Sequence, residues 1–189
     1  MANVTNQAAS AYGYQGLGTD WNTTGDLFIW DSASGLNDIG ITFDASALDA
    51  ADVVSSATLD LVYGGFQNVN ALYSWSIRAV DADNPANFSG ANLPRNATLR
   101  AATVNDSVTA TPSGAYQATI TSIISDLVSN RGGGNIGNIG LVISAATASE
   151  DYVSWAAGSG ATLNIVVGGG SNAHYTSYYT KILGAHNAA

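Results

Sequence analysis

Asp81, Asp83 and Asn84 place three oxygen-bearing side chains within four residues, immediately before Pro85. Such a stretch is a partial calcium loop, because calcium takes about 6–8 oxygen ligands and accepts irregular geometry. It lacks the later bidentate acid of a helix–loop–helix site, and Asp and Asn equally build ordinary turns. Hydrolysis by paired carboxylates would need two of them facing each other across a cleft. The fourteen acidic residues, of which Glu150 is the one glutamate, are instead spread over strand ends and loops. Glu150 and Asp151 are adjacent and read as a solvated strand entrance. A nucleophilic triad has little to draw on, since the two histidines, His174 and His186, fall near the C-terminal end, beyond the expected domain. The Gly-rich run 132–138 precedes a strand rather than a helix and has no phosphate-contacting Lys, so it reads as a turn. The expectation is a protein without a catalytic centre.

Two groups of aromatic residues offer binding chemistry. A flat apolar ring covers the C–H face of a sugar while polar neighbours take its hydroxyls. Trp21, within Gly18-Thr19-Asp20-Trp21-Asn22, is the candidate glycan contact, with local packing as the competing reading. Trp30, Trp75 and Trp155 lie inside strand patterns and belong to the expected core. Near the C-terminal end, Tyr175, Tyr178, Tyr179, Ile182 and Leu183 follow the helical spacing i, i+3, i+4, i+7, i+8. They come after Gly168-Gly169-Gly170-Ser171, a flexible linker composition. A segment of about ten residues is too short to be a stable helix alone. Its apolar stripe is expected to dock on a partner chain, or to fold back on its own domain. With Lys181 as its one basic residue, it makes a poor membrane anchor.

Composition narrows the classes further. The 189 residues carry five Lys plus Arg, fourteen Asp plus Glu and a formal net charge of -9, with no cysteine. A nucleic-acid face cannot be assembled from five basic residues, and neither a disulfide framework nor a Cys-ligated zinc can form. An apolar fraction of 46% with 10% charged residues argues for a folded chain rather than disorder. The start, Met1-Ala2-Asn3-Val4-Thr5-Asn6-Gln7, has neither the basic nor the apolar stretch of a secretory signal. No run reaches the ~20 apolar residues of a membrane span. The expectation is synthesis in the cytoplasm and arrival at an exterior by assembly.

The elements that must position these residues are mostly strands. Residues 12–17, 26–31, 36–43, 53–63, 72–80, 98–104, 115–120, 137–145, 151–157 and 161–168 read as strands separated by Gly, Asn, Asp or Pro. In the clearest, Tyr73, Trp75, Ile77 and Ala79 point one way and Ser74, Ser76 and Arg78 the other. Ile120, Ile123, Ile124, Leu127 and Val128 instead keep helical spacing, predicting a short helix over 121–130. Thr121 or Ser122 would cap its start, and Arg131 and Gly132 would end it. Many short strands with regular turn signals predict an all-β, antiparallel, jelly-roll-like sandwich over 12–168. An N-terminal arm over 1–11 and a linker with docking tail over 169–189 would flank it.

Several stretches recur in the order of a known module: Tyr14-Gln15-Gly16, Asp31-Ser32-Ala33-Ser34-Gly35, Ile41-Thr42-Phe43-Asp44-Ala45-Ser46-Ala47-Leu48 and Val54-Ser55-Ser56-Ala57-Thr58-Leu59-Asp60-Leu61. Ala118-Thr119-Ile120-Thr121-Ser122-Ile123-Ile124, Ile139-Gly140-Leu141-Val142-Ile143 and Val153-Ser154-Trp155 continue the pattern. Together they resemble the DNRLRE-domain family, β-sandwich modules of extracellular and phage-associated proteins. Asp38-Ile39-Gly40 stands where the family usually has a basic residue, and 84–106 lacks its Trp-rich stretch. The resemblance implies a sandwich for adhesion or carbohydrate contact, with no catalytic residues to carry over. An adhesive composition, no secretion signal and a tethered tail together point to an exterior structural protein of a tailed bacteriophage. It would be a capsid decoration (cement) protein or a head-, neck- or tail-fibre component. Its partners would be major capsid protein or tail subunits, further copies in a homo-oligomer (a trimer by analogy), and host surface polysaccharide. The alternative is a carbohydrate-binding or adhesion module of an extracellular protein. Neither reading requires a cofactor, calcium at Asp81–Asn84 excepted.

Overall fold

Alternating apolar and polar residues put one face of each strand inward, and the backbone pairs antiparallel throughout. The structure, a computed structural model, describes residues 4–15, 21–24, 26–32, 35–36, 38–67, 73–108, 114–131, 136–146, 152–156 and 161–168. Within them lie β1 (Val4–Gln15), β2 (Trp21–Asn22), β3 (Leu27–Ser32), β4 (Gly35–Leu36), β5 (Asp38–Asp44) and β6 (Val53–Gln67). There follow β7 (Tyr73–Val80), β8 (Leu99–Val108), β9 (Ala115–Thr119), α1 (Thr121–Ser129), β10 (Asn138–Ala145), β11 (Tyr152–Trp155) and β12 (Thr162–Gly168).

The protein is an all-β sandwich. One sheet runs β2-β1-β5-β10-β7-β8. In the other, β6 pairs with β9 along one edge and with β12 and then β11 along the opposite edge. Beyond β11 come β3 and β4. The two sheets share β1. Its first half pairs with β12 (Val4 with Ile165, Ala8 with Thr162), and its second half pairs with β5. The change comes at a register shift between Ala9 and Ala11, the bulge that lets a strand turn a sandwich corner. Of the arm expected over 1–11, residues 4–11 thus lie in β1, and 1–3 fall outside the described residues. Val4–Ser10 is small and polar, so no apolar alternation marks it, yet its backbone completes the ladder with β12.

α1 closes the side opposite this corner, packing on β6, β7 and β8. Ile123, Ile124, Leu127 and Val128 are its buried face, as the spacing predicts. Its expected caps are not the ones used. Ile120 is the N-cap and makes no side-chain cap bond. The Thr121 hydroxyl instead accepts the Ala57 N–H at 2.9 Å, while Ile120 N–H donates to Ala57 O at 2.9 Å, tying the helix to β6. Asn130 ends the helix, and Arg131 turns inward.

Between the sheets, Trp75 and Trp155 meet edge to face, ring centroids 5.4 Å apart at 84°. Tyr73, Ile77, Ile41, Ile143, Leu59 and Leu163 are fully buried around them. A second, smaller cluster sits outside the first sheet. The segment after β7 folds back over the outer face, seating Phe88 against Gly40, with Val80 and Val142 alongside. A Cβ on Gly40 would lie 2.6 Å from Phe88 Cγ, so only glycine allows this approach. The cover is pinned by polar contacts. Arg95 Nε donates to Asp38 Oδ2 at 3.1 Å, and Arg95 N–H donates to Gln15 Oε1 at 3.2 Å.

The expected consequence is measurable. Gly40→Leu should cost ~1–3 kcal/mol through overpacking. At ~2–4 °C per kcal/mol for a chain of this size, that lowers the thermal midpoint by several degrees. Gly90→Leu, where the nearest side-chain atom to a new Cβ is 3.9 Å away, should be near neutral.

Candidate functional site

The structure disperses most sequence-derived candidates into structural roles. Trp21 is half-buried at the rim of the outer cluster, tilted 37° to Phe88 with centroids 6.3 Å apart. Its six-membered ring lies so close over Gly13 that a Cβ there would overlap it. One face of the indole is thus spent on packing. Glu150, Asp151, His174, His186 and the docking residues Tyr175, Tyr178, Tyr179, Ile182 and Leu183 lie outside the described residues.

Asp81, Asp83 and Asn84 do sit together on the turn after β7, but each faces a different partner. Asp81 Oδ1 accepts from Arg100 Nη1 at 2.6 Å, and Asp83 Oδ1 is 3.9 Å from Arg131 Nε. Asn84 Oδ1 accepts the Asn138 N–H at 2.8 Å and presses on Gly137, whose φ of 70° suits glycine. Among the described residues no three or more His, Cys, Asp or Glu converge as a metal cluster. A cation entering this turn would meet two guanidinium groups.

Arg100 is the hinge of the cluster. From β8 it reaches Asp81 and, through Nε at 2.6 Å, Asp126 on α1, so one side chain joins sheet, turn and helix. The Asp126 hydrogen bond leads the effects that hold its pKa above the ordinary arginine value. Arg131 is the opposite case. Its side chain is 6% exposed, Nη1 donates to Ile136 O at 2.6 Å, and Nη2 is buried without a partner. Burial pushes its pKa down, Asp83 opposing and Arg100 adding to the shift. The two arginines, with Asp81, Asp83, Leu127 and Asn130, line a cavity of about 200 Å³.

The other described carboxylates are acceptors within the framework. Asp60 takes Gln117 Nε2 and Asn164 Nδ2, each at 2.6 Å. Asp26 takes the buried Ser154 hydroxyl at 3.1 Å. Asp44 and Asp49 accept backbone N–H groups two residues on, the Asx turns their spacing encodes. Asp106 anchors a chain into the core: Trp75 Nε1–H donates to Tyr116 Oη at 3.1 Å, and Tyr116 donates to Asp106 Oδ2 at 2.9 Å. Sequence reasoning missed this chain, although Asp106 breaks the alternation of β8 and Tyr116 keeps that of β9.

The outward face of β10, β7 and β8 beyond the cover carries small polar side chains in rows. Register sets Ser144, Ser76 and Asn105 side by side in one row, and Ser74 beside Ser107 in another. Thr103 stands next to Arg78, whose guanidinium donates to the Arg100 carbonyl at 2.8 Å through Nε. All of these are partly or fully exposed. Neighbouring rows on such a sheet lie ~4.8 Å apart across strands and ~6.8 Å apart along them.

No family model matches the sequence, and no curated protein does. Among solved structures, similarity is found to the N-terminal endo-1,4-beta-D-xylanase 10B of Clostridium thermocellum, described by its CBM22-1 and GH10 modules in complex with xylohexaose. The identity is 8% and the TM-score 0.37, covering 87% of this chain and 28% of that one. This chain thus spans little over a quarter of that structure's length. At that TM-score, the chemistry of this chain's own residues has to carry the functional reading.

The buried tyrosines set a pH limit. Burial, and secondarily Asp106, pushes Tyr63 up to about 12, and burial raises Tyr116 further. Unfolded tyrosines ionise near 10, so above that pH the unfolded state sheds protons that the folded state keeps. Stability in urea should be flat from pH 7 to 9 and fall from pH 10 through about 12. Tyr116→Phe should lower it at neutral pH by ~1–3 kcal/mol, because Trp75 Nε1 then has no acceptor.

Proposed function

We propose that this chain is a non-enzymatic β-sandwich adhesion module that binds neutral polysaccharide at the exterior of a larger protein or particle. The observation that carries it is the row pattern on β10, β7 and β8. Small hydroxyl and amide groups both donate and accept, repeat at strand spacing and are held by a rigid sheet. A polymer of hydroxylated rings is the ligand whose groups match them. A protein partner would instead find few aromatic or apolar anchors at the centre of this face. Trp21, with one ring face taken by packing, serves at most as an edge contact.

Polymer affinity electrophoresis and pull-down on insoluble polysaccharides test the reading. At least one neutral polymer should retard the protein, and Ser76→Asp with Asn105→Asp should reduce retardation at least tenfold without changing the thermal midpoint. Unchanged retardation in the double variant, or none with any neutral polymer, would overturn it.

A second reading is favoured by the C-terminal spacing. In it the module is a tailed-phage exterior protein, a capsid decoration or a head-, neck- or tail-fibre component, attached through Tyr175, Tyr178, Tyr179, Ile182 and Leu183. Among the described residues the last strand pairing is that of Gly168, opposite Val53. Truncation after Gly170 should therefore leave the melting midpoint unchanged and weaken incorporation into particles, with Tyr179→Asp or Leu183→Asp doing the same and Thr180→Asp mild. Normal incorporation of a truncated chain that melts earlier would end the anchor role.

A further inference from the structure

The cavity between the Asp81–Asn84 turn and the C-terminal end of α1 is not required by the sandwich, and its lining has unmet bonding capacity. Arg131 is a pure donor, buried, with Nη2 unpartnered; Asp83, 87% exposed, is a pure acceptor. Arg131 Nε and Asp83 Oδ1 stand 3.9 Å apart, too far for a hydrogen bond. One oxygen at ~2.8 Å from each spans that gap, provided it accepts from the guanidinium and donates to the carboxylate. Each class of ligand meets a different fate here. A divalent cation is repelled by Arg100 and Arg131 and cannot accept their protons. An anion faces the carboxylates of Asp81, Asp83 and Asp126, on a chain of net charge -9, and cannot donate to Asp83. A hydroxyl does both.

Size limits the choice again. The cavity of about 200 Å³ equals roughly six or seven waters at ~30 Å³ each. It falls below the ~300 Å³ at which pockets begin to enclose larger ligands. Its wall is almost entirely polar, Leu127 being buried behind it, and Asn130 adds an amide whose Nδ2 is held by Asp126.

We infer that this cavity is a subsite for one neutral sugar ring, held by its hydroxyls, one of which bridges Arg131 and Asp83. The inference rests on the polysaccharide reading above and adds a second contact point to it, on the turn that follows β7. The six named side chains come from β8, α1, the turn after β7 and the end of α1, so the subsite forms only in the folded sandwich.

Backbone amide shifts of the full chain, titrated with methyl glycosides of glucose, galactose, mannose and xylose, test it. Glucuronate and calcium serve as charged controls. At least one neutral glycoside should shift the amides of Asp83, Asn130 and Arg131 saturably in the millimolar range. Asp83→Ala, at an exposed position, should weaken that binding at least tenfold while leaving the remaining spectrum and the melting midpoint in place. Arg131→Lys, which keeps charge but loses the planar fork, should weaken it as well. Glycoside shifts unchanged in Asp83→Ala, tighter binding of glucuronate or calcium than of any neutral glycoside, or no shifts at all would overturn the subsite. If polymer retardation persists and depends on Ser76 and Asn105 while the glycosides fail, the subsite falls and the adhesion reading stands. If polymer and glycosides both fail, both fall.

Discussion

The edge-to-face contact of Trp75 with Trp155 is the point on which the two sheets depend. Trp75 belongs to the sheet that carries the polar rows, and Trp155 to the sheet built around β6. Tyr63 stacks on Trp155 and Tyr116 meets Trp75 edge-on, so four rings from four strands fill one volume. Such rings bury large areas and prefer tilted or edge-on geometry, which fixes the distance and rotation of the sheets together. The polar end of this cluster is not wasted. Trp75 and Tyr116 pass their hydrogens outward to Asp106, a carboxylate placed at the edge strand where water can reach it.

With four arginines and one lysine in the whole chain, each described cation does specific work. Arg95 fastens the cover to β5, Arg100 holds β8, turn and helix, and Arg78 ties down backbone carbonyls of its neighbour strand. Exposed ion pairs contribute little on their own. These are valuable mainly as geometry, because each joins two segments of the fold. Arg131 is the exception, buried more deeply than its bonding justifies, and for that reason it is the side chain with chemistry to spare.

The sandwich and α1 were legible because period two and period 3.6 are both visible over 53–80, 115–130 and 137–145. The first strand was only half legible: Tyr12 and Tyr14 alternate with Gly13 and Gln15, whereas Val4–Ser10 carries no apolar alternation, its backbone pairing with β12 while Ala9 packs on the core and the Ser10 hydroxyl donates to Thr42 O. The outer cover was hidden for a different reason. Gly13, Gly40 and Gly140 occupy outward positions on three adjacent strands, and such a lane means that something lies close over it. Reading that lane requires knowing which strands are neighbours, which periodicity does not tell. The turn at Asp81–Asn84 was found as a cluster of oxygens, but the arginines that redefine it come from positions 19 and 48 residues further along.

The crossing of β1 between sheets also orders events in time. Val4 pairs with Ile165, so the first half of β1 has no ladder until almost all of the sandwich has been synthesised, whereas its second half meets β5 within the first 44 residues. Until then the first half of β1 is an extended segment without its partner, and long-range pairings of this kind are slow to form and expose sheet edges while they wait. The segment 4–10 is suited to that delay: Thr, Asn, Gln, Ala and Ser are soluble in an extended chain and offer little for a wrong partner to grip. What looks in sequence like an unremarkable polar lead-in is thus the last piece to be fitted, and its blandness protects a nascent chain.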